Sequence, residues 1–200
     1  MIEFDPTTLA PKRIEHFAII ELLGEGAMGY VFRAHDDDLN VDVALKMLKR
    51  EGASNESARR RFLDEARAAA KLSHHDHIVA VSRVKDIVIG DQHYPYLVMP
   101  LLKGETLAER IARADDAPIS LKEQRRIALH IARGLAVAHR EGLIHRDIKP
   151  ANIWLESRDD GVRAKILDFG LARSLTDSKT TTNVTMGTPM YMSPEQWVSA

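Results

Sequence analysis

Two short segments carry four side chains of the kinds that phosphoryl transfer needs: His145-Arg146-Asp147-Ile148-Lys149-Pro150-Ala151-Asn152 and, after an interval, Asp168-Phe169-Gly170. That reaction requires a carboxylate to receive or orient the proton of an attacking hydroxyl, and a cation against the phosphate. It also requires carboxylate and amide oxygens for a hard divalent ion such as magnesium. Asp147 suits the first role and Lys149 the second, while Asn152 and Asp168 suit the third. The sequence has no cysteine, so a disulfide framework and thiolate metal sites are excluded.

Several elements must position these groups. Phe17, Ile19, Ile20, Leu22 and Leu23 read as a first strand, interrupted by Gly24, Gly26 and Gly29. Tyr30 to Ala34 and Val41 to Leu48 resume a β pattern after the glycines. The string Gly24-Glu25-Gly26-Ala27-Met28-Gly29-Tyr30-Val31 therefore joins two strands, whereas a dinucleotide fingerprint requires a helix after its glycines. A phosphate-covering hairpin and a plain Gly-rich turn both fit it. Further strands are expected at 78–84, 85–89 and 96–101.

Ser57 to Leu72 has helical spacing, with Phe62, Glu65, Ala69 and Leu72 on one stripe. A carboxylate on an apolar stripe needs a cation, and Lys46, flanked by apolar residues, has the reciprocal need. Beyond Gly104 the pattern turns helical: Thr106 and Glu109 form a candidate capping box for a helix over 107–114. Ser120 and Glu123 open a longer helix whose Ile127, Ile131, Leu135 and Ala138 face inward before Gly142 ends it. Strand segments at 153–155 and 164–167 bracket a polar turn at 157–161 and flank the reactive loops.

The 200 residues are 44% hydrophobic and 28% charged with net charge −1, an ordinary globular balance without the field that nucleic acid or an anionic membrane would need. The longest apolar stretch, Tyr94 to Leu102, contains two prolines and falls short of the roughly 20 residues of a membrane helix. The N-terminus lacks the apolar core of a secretory signal, which makes the cytoplasm the default compartment. His74, His75, Asp76 and His77 lie close in sequence, but structural zinc wants four well-placed ligands. Packing and hydrogen bonding is the favoured reading of these histidines.

The HRDIKPAN and DFG strings resemble the eukaryotic-type protein kinase family, and the GTPMYMSPEQ string beginning at Gly187 resembles its bacterial branch. The likeness extends over about residues 14–200. It implies an α+β, bilobal fold: a lead segment at 1–13, a β-rich N-lobe with one helix at 14–99, and a hinge with a partial, mainly helical C-lobe at 100–200. It implies ATP and magnesium as cofactors, proteins bearing Ser or Thr as substrates, and neither nucleic acid nor a membrane segment in this chain. ATP contacts are implied for Leu23, Gly24, Glu25, Gly26, Ala27, Met28, Gly29, Val31, Ala44, Lys46 with its helix partner Glu65, Met99, Pro100 and Leu102. Met99 resembles the gatekeeper. Pro100 stands where the family usually has Glu, and proline keeps the carbonyl that a hinge must offer. Lys149 points to Ser/Thr rather than Tyr substrates.

Thr180, Thr181, Thr182 and Thr185 are candidate phosphosites in a segment that resembles an activation loop, with autophosphorylation expected within 171–192. Arg146 would pair with a phosphothreonine, whereas Thr188 matches a residue that binds the catalytic pair. His145 matches a packing histidine, not a base. Trp154 falls where the family has a smaller apolar residue under the adenine. Family kinases continue for several helices beyond Glu195, so a fragment of a longer chain is expected, with exposed apolar surface and a tendency to self-associate. A catalytically inert nucleotide-binding or regulatory module is the alternative function.

Overall fold

The computed structural model describes residues 12–26, 29–89, 91–114, 117–168, 189–191 and 193–194, without the side chains of Glu51, Arg61 and Glu65. The chain divides into two compact units. One runs up to Ser73 and takes in Ala80–Leu102; the other joins His74–Val79 to the residues from Lys103 onward.

The first unit is a six-stranded antiparallel sheet in the order β1-β2-β3-β4-β6-β5, from β1 (Arg13–Ile14), β2 (Phe17–Glu25), β3 (Gly29–Asp36), β4 (Val41–Leu48), β5 (Arg83–Ile89) and β6 (Gln92–Pro100). Alternation sends Val43, Leu45 and Met47 into a core with Ile14, Phe17, Phe32, Ala34, Tyr96 and Val98. Lys46 lies on the other face of β4 and is itself buried, opposite Val31 and Leu97 on the neighbouring strands. Asp36 closes the β3–β4 turn, its Oδ1 accepting the amides of Asp38 and Leu39. A short α1 (Arg50–Ala53) precedes α2 (Glu56–Ala70), whose Asn55 cap accepts the Ala58 amide and whose Ala58, Phe62, Ala66 and Ala69 are buried.

Three expectations shift here. The unit holds two helices rather than one, because four residues of α1 are too few to show a period. No strand begins at residue 78, since the Ser73 hydroxyl takes both the Val81 amide (2.8 Å) and the Val81 carbonyl (3.2 Å). Ile78 instead makes an isolated bridge to Ile166. β6 starts before Pro95, where it has a single neighbour: Pro95 lies opposite Asp86 of β5, and the pairing with β4 reaches only from Tyr96 to Pro100.

The second unit holds β7 (Gly104–Thr106), α3 (Leu107–Ala112), α4 (Leu121–Arg140), β8 (Ile153–Arg158) and β9 (Gly161–Ile166), with a sheet ordered β7-β8-β9. The Thr106 capping box is complete: Glu109 N–H donates to Thr106 Oγ1 at 3.1 Å and Thr106 N–H to Glu109 Oε2 at 2.7 Å. α3 ends at Ala112 rather than 114, and the residues before it form β7, a strand that the helical pattern concealed. Ser120 caps α4, whose Ile127 and Ala138 are buried and whose Ile131 and Leu135 are half-buried. Strands β8 and β9 run longer than expected and leave only Asp159 and Asp160 as the turn.

Candidate active site

In the second unit, the chain turns sharply between α4 and β8. Arg146 sits at φ +65° and Asp168 at +55°, left-handed positions that side chains rarely adopt. Backbone strain of this kind persists where surrounding bonds over-determine it. His145 supplies such bonds. It is 1% exposed, its Nε2–H donates to the Leu167 carbonyl at 2.6 Å, and its Nδ1 accepts the Asp147 amide at 3.3 Å. The Leu167 amide in turn donates to the Asn152 carbonyl at 2.9 Å. One ring thereby ties the segment before β8 to the residue preceding Asp168. Desolvation holds the His145 pKa below its ordinary value, against the opposing pull of the Leu167 carbonyl, so the ring is neutral with its proton on Nε2.

The pattern Lys149-Pro150-Ala151-Asn152 forms a 3-10 turn with proline at its first position, where no amide is needed. That turn brings Asp147, Lys149 and Asn152 together. Lys149 Nζ lies 2.8 Å from Asp147 Oδ2, and Asn152 Nδ2 donates to the same Oδ2 at 2.9 Å and to the Asp147 carbonyl at 2.7 Å. Asp147 Oδ1 has no hydrogen-bond partner among the described residues. The Asn152 amide nitrogen is committed to Asp147, which leaves its oxygen as the atom able to meet a hard cation. With the Asp168 carboxylate this is an all-oxygen donor set, which suits magnesium and not a thiophilic metal.

In the first unit, the Gly26 amide donates to the Gly29 carbonyl at 2.9 Å and closes the β2–β3 hairpin. Its glycines differ in what they are for. A Cβ on Gly29 would stand 2.3 Å from the Met47 carbonyl oxygen, so β4 itself demands glycine there. A Cβ on Gly24 would meet nothing within 4 Å, and one on Gly26 only the Gly29 carbonyl at 3.8 Å. Packing does not require glycine at those two positions, which leaves open space for a ligand. Glu25 pairs with Lys49 at 2.6 Å, Leu23 is exposed, Val31 is half-buried, and Ala44 is buried on β4 beside Met99 of β6. Pro100 ends β6 and Leu102 follows it, half-buried.

Ala27, Met28, Phe169, Gly170, Thr180, Thr181, Thr182, Thr185, Thr188 and Glu195 lie outside the described residues, as does the side chain of Glu65 within α2. The expected Lys46–Glu65 pair therefore falls outside them too. Trp154, on β8 between Thr106 and Lys165, is half-buried, and its indole Nε1 is buried without a hydrogen-bond partner among the described residues. A Cβ on Gly104 would sit 2.0 Å from the Leu155 carbonyl and 3.2 Å from that nitrogen, so the indole lies against a residue that must be glycine.

The protein kinase domain family matches residues 17–199. The chain belongs to the protein kinase family. Among its relatives, a probable serine/threonine-protein kinase of Streptomyces coelicolor, SCO3848, is 36% identical over 190 residues, covering 93% of this chain and 27% of that one. The serine/threonine-protein kinase PknB of Mycobacterium leprae is 36% identical over 191 residues, covering 94% and 30%. The crystal structure of the Mycobacterium tuberculosis PknI kinase domain has 31% sequence identity and a TM-score of 0.64, covering 80% of this chain and 62% of that one. The kinase chain thus spans less than a third of the length of these two curated relatives. Its fold is that of a protein kinase, and the family generally uses ATP and magnesium.

Two features of this kinase chain escaped the sequence reading: the His145 bridge to Leu167 and the structural role of Gly29. The first spans 22 positions and has no local signature. The second depends on Met47 of a neighbouring strand, which no glycine string reveals.

Proposed function

We propose that this chain is the part of a serine/threonine protein kinase that moves the γ-phosphoryl group of ATP to a Ser or Thr hydroxyl of a protein. The convergence of Asp147, Lys149 and Asn152 carries this reading. Asp147 Oδ1, the oxygen not engaged by Lys149 and Asn152, accepts the hydroxyl proton as the new O–P bond forms and the bond to the leaving ADP oxygen breaks. Lys149 stabilises charge developing on the phosphoryl oxygens. Asn152 and Asp168 are suited to magnesium, which when bound supplies charge neutralisation at the phosphates.

Leu23, Gly24, Glu25, Gly26, Ala27, Met28, Gly29 and Val31 cover the nucleotide, Ala44, Met99, Pro100 and Leu102 receive the adenine, and Lys46 with Glu65 meets its phosphates. Residues 14–99 are the N-lobe, and residues 100–200 the hinge and partial C-lobe. Thr180, Thr181, Thr182 and Thr185 are the proposed sites of autophosphorylation. No helix of the described residues is long and apolar enough to cross a membrane, and the absence of cysteine fits the cytoplasm as the place of catalysis.

The test is magnesium-dependent transfer of label from ATP to a Ser/Thr protein. Asp147→Asn is expected to lower kcat by about 10²-fold or more, and undiminished transfer in that variant would remove Asp147 from the mechanism. Nucleotide binding without any turnover would favour the inert module instead.

A further inference from the structure

Away from the catalytic loop, the second unit carries a concavity of about 460 Å³ between the His74–His77 segment and the outer face of α4. Ala136 and Val137 keep its helix side shallow, while Arg133 and Arg140, two turns apart, stand at either end. Both arginines are exposed, and among the described residues neither guanidinium has a carboxylate or hydrogen-bond partner. The one acid lining the concavity, Asp76, is already held by Arg163 at 2.8 Å.

The histidines behind the arginines are fixed as donors and spacers. His77 is buried and stacks on His130, with ring centroids 4.1 Å apart and planes 18° apart. The two rings meet the backbone of one residue: the His77 Nδ1–H donates to the Ala164 carbonyl and the Ala164 amide donates to His130 Nδ1, each at 3.2 Å. The His77 amide donates to His75 Nδ1 at 3.3 Å, which puts the proton of neutral His75 on Nε2. The rim thus offers two guanidiniums and an imidazole N–H, beside the carboxylate of Asp76, whose Oδ1 is held by Arg163. Burial lowers the pKa of His75, and His74, Arg140 and Lys165 press the same way against the pull of Asp76.

We propose that this concavity binds a phosphate monoester dianion, with Arg133 and Arg140 supplying charge and His75 an additional donor. Guanidinium forks suit tetrahedral phosphate oxygens, and a volume in the range of small-ligand pockets leaves room for more than the phosphate alone. The site is independent of the nucleotide-binding reading and needs no turnover.

The test uses the 200-residue protein without nucleotide. It is titrated with inorganic phosphate, a phosphothreonine peptide or the unphosphorylated peptide while the histidine ring resonances are followed by NMR. Saturable movement of His75 is expected with both phosphate probes and not with the bare peptide. Equal affinities would make free phosphate a sufficient ligand, and tighter binding of the phosphopeptide would make a phosphorylated chain the source; either result supports the site. The exposed pair Arg133→Ala and Arg140→Ala should weaken binding about tenfold or more, with lysine at both positions retaining part of it. Asp147→Asn should leave binding unchanged, which separates this site from the kinase reading. No saturable change at His75, equal response to the bare peptide, or unchanged affinity in the double alanine variant would overturn the proposal.

Discussion

Replacing His145 by leucine keeps much of the buried volume but strips the hydrogen bonds that join the two strained loops. The Leu167 carbonyl loses a donor at 2.6 Å and the Asp147 amide an acceptor at 3.3 Å. An unsatisfied buried polar group costs about 1–3 kcal/mol, so the two partly buried groups together should cost about 2–4 kcal/mol. That is a large share of a stability of about 5–15 kcal/mol. The loss belongs first to the local opening of these loops, for which the Leu167 amide, bonded to the Asn152 carbonyl, is the reporter. At 1.36 kcal/mol per tenfold, its hydrogen exchange should accelerate about 30- to 1000-fold. Acceleration below about threefold would show that the ring does not hold the loops, and would refute the positioning role.

The same ring sets a pH dependence whose direction follows from its lowered pKa. The unfolded chain protonates His145 near its ordinary value of 6.5, and the folded chain does so only at lower pH. In that interval the unfolded state binds more protons, so stability is full above about pH 6.5 and falls as pH drops toward the folded pKa. One histidine contributes at most about 1.4 kcal/mol per pH unit there. His75, His77 and His130 are shifted in the same direction by burial. His145→Leu should therefore flatten the acid limb without abolishing it, as measured by urea unfolding across that range. An unchanged limb would mean that His145 titrates alike in the folded and unfolded chains.

Gly29→Ala should destabilise the first unit by about 1–3 kcal/mol through a Cβ at 2.3 Å from the Met47 carbonyl, whereas Gly24→Ala should leave thermal unfolding unchanged and weaken ATP binding alone. Equal melting temperatures for the two variants would contradict this division. Thr106→Ala removes the capping box of α3 and should cost about 1 kcal/mol, visible as faster amide exchange at Glu109. Trp154→Phe removes an indole N–H that has no partner among the described residues; the variant should be no less stable than the parent by urea unfolding, and a loss above about 2 kcal/mol would mean that the indole packing outweighs the orphaned donor.

What could be read in the sequence was what local spacing encodes. Residues 145–152 hold their own turn, and α4 announced itself through Ser120 and a 3.6-residue stripe that ends buried at Ile127 and Ala138. What stayed hidden depends on partners distant in sequence. The start of β5 was misplaced because the Ser73 hydroxyl, eight residues away, takes the backbone groups of Val81. Strand β7 is concealed because Thr106 ends the strand and caps α3 at once, and three residues are too few to show a period of two. The strand expected at 96–101 begins earlier, at Gln92, because β5 pairs with the residues before Tyr96.

The charges of Asp147 and Lys149 satisfy each other in the structure, and that bears on how the proposed site would work. Lys149 and Asp147 are each 22% exposed, so an unpaired charge at either would carry a substantial desolvation penalty. In the proposed reaction Lys149 must turn to a phosphate. That exchange replaces one charge-assisted contact by another, while Asp147 Oδ2 keeps the Asn152 amide as its partner. In that reaction Asn152 would have two jobs: its oxygen suits the metal, and its nitrogen would keep Asp147 oriented when the lysine leaves. Asn152→Asp would retain an oxygen for the ion but replace the N–H donor with a carboxylate beside Asp147. Like-charge repulsion would then move the acid limb of kcat toward higher pH. An unshifted limb with lowered magnesium affinity would assign Asn152 to the metal alone.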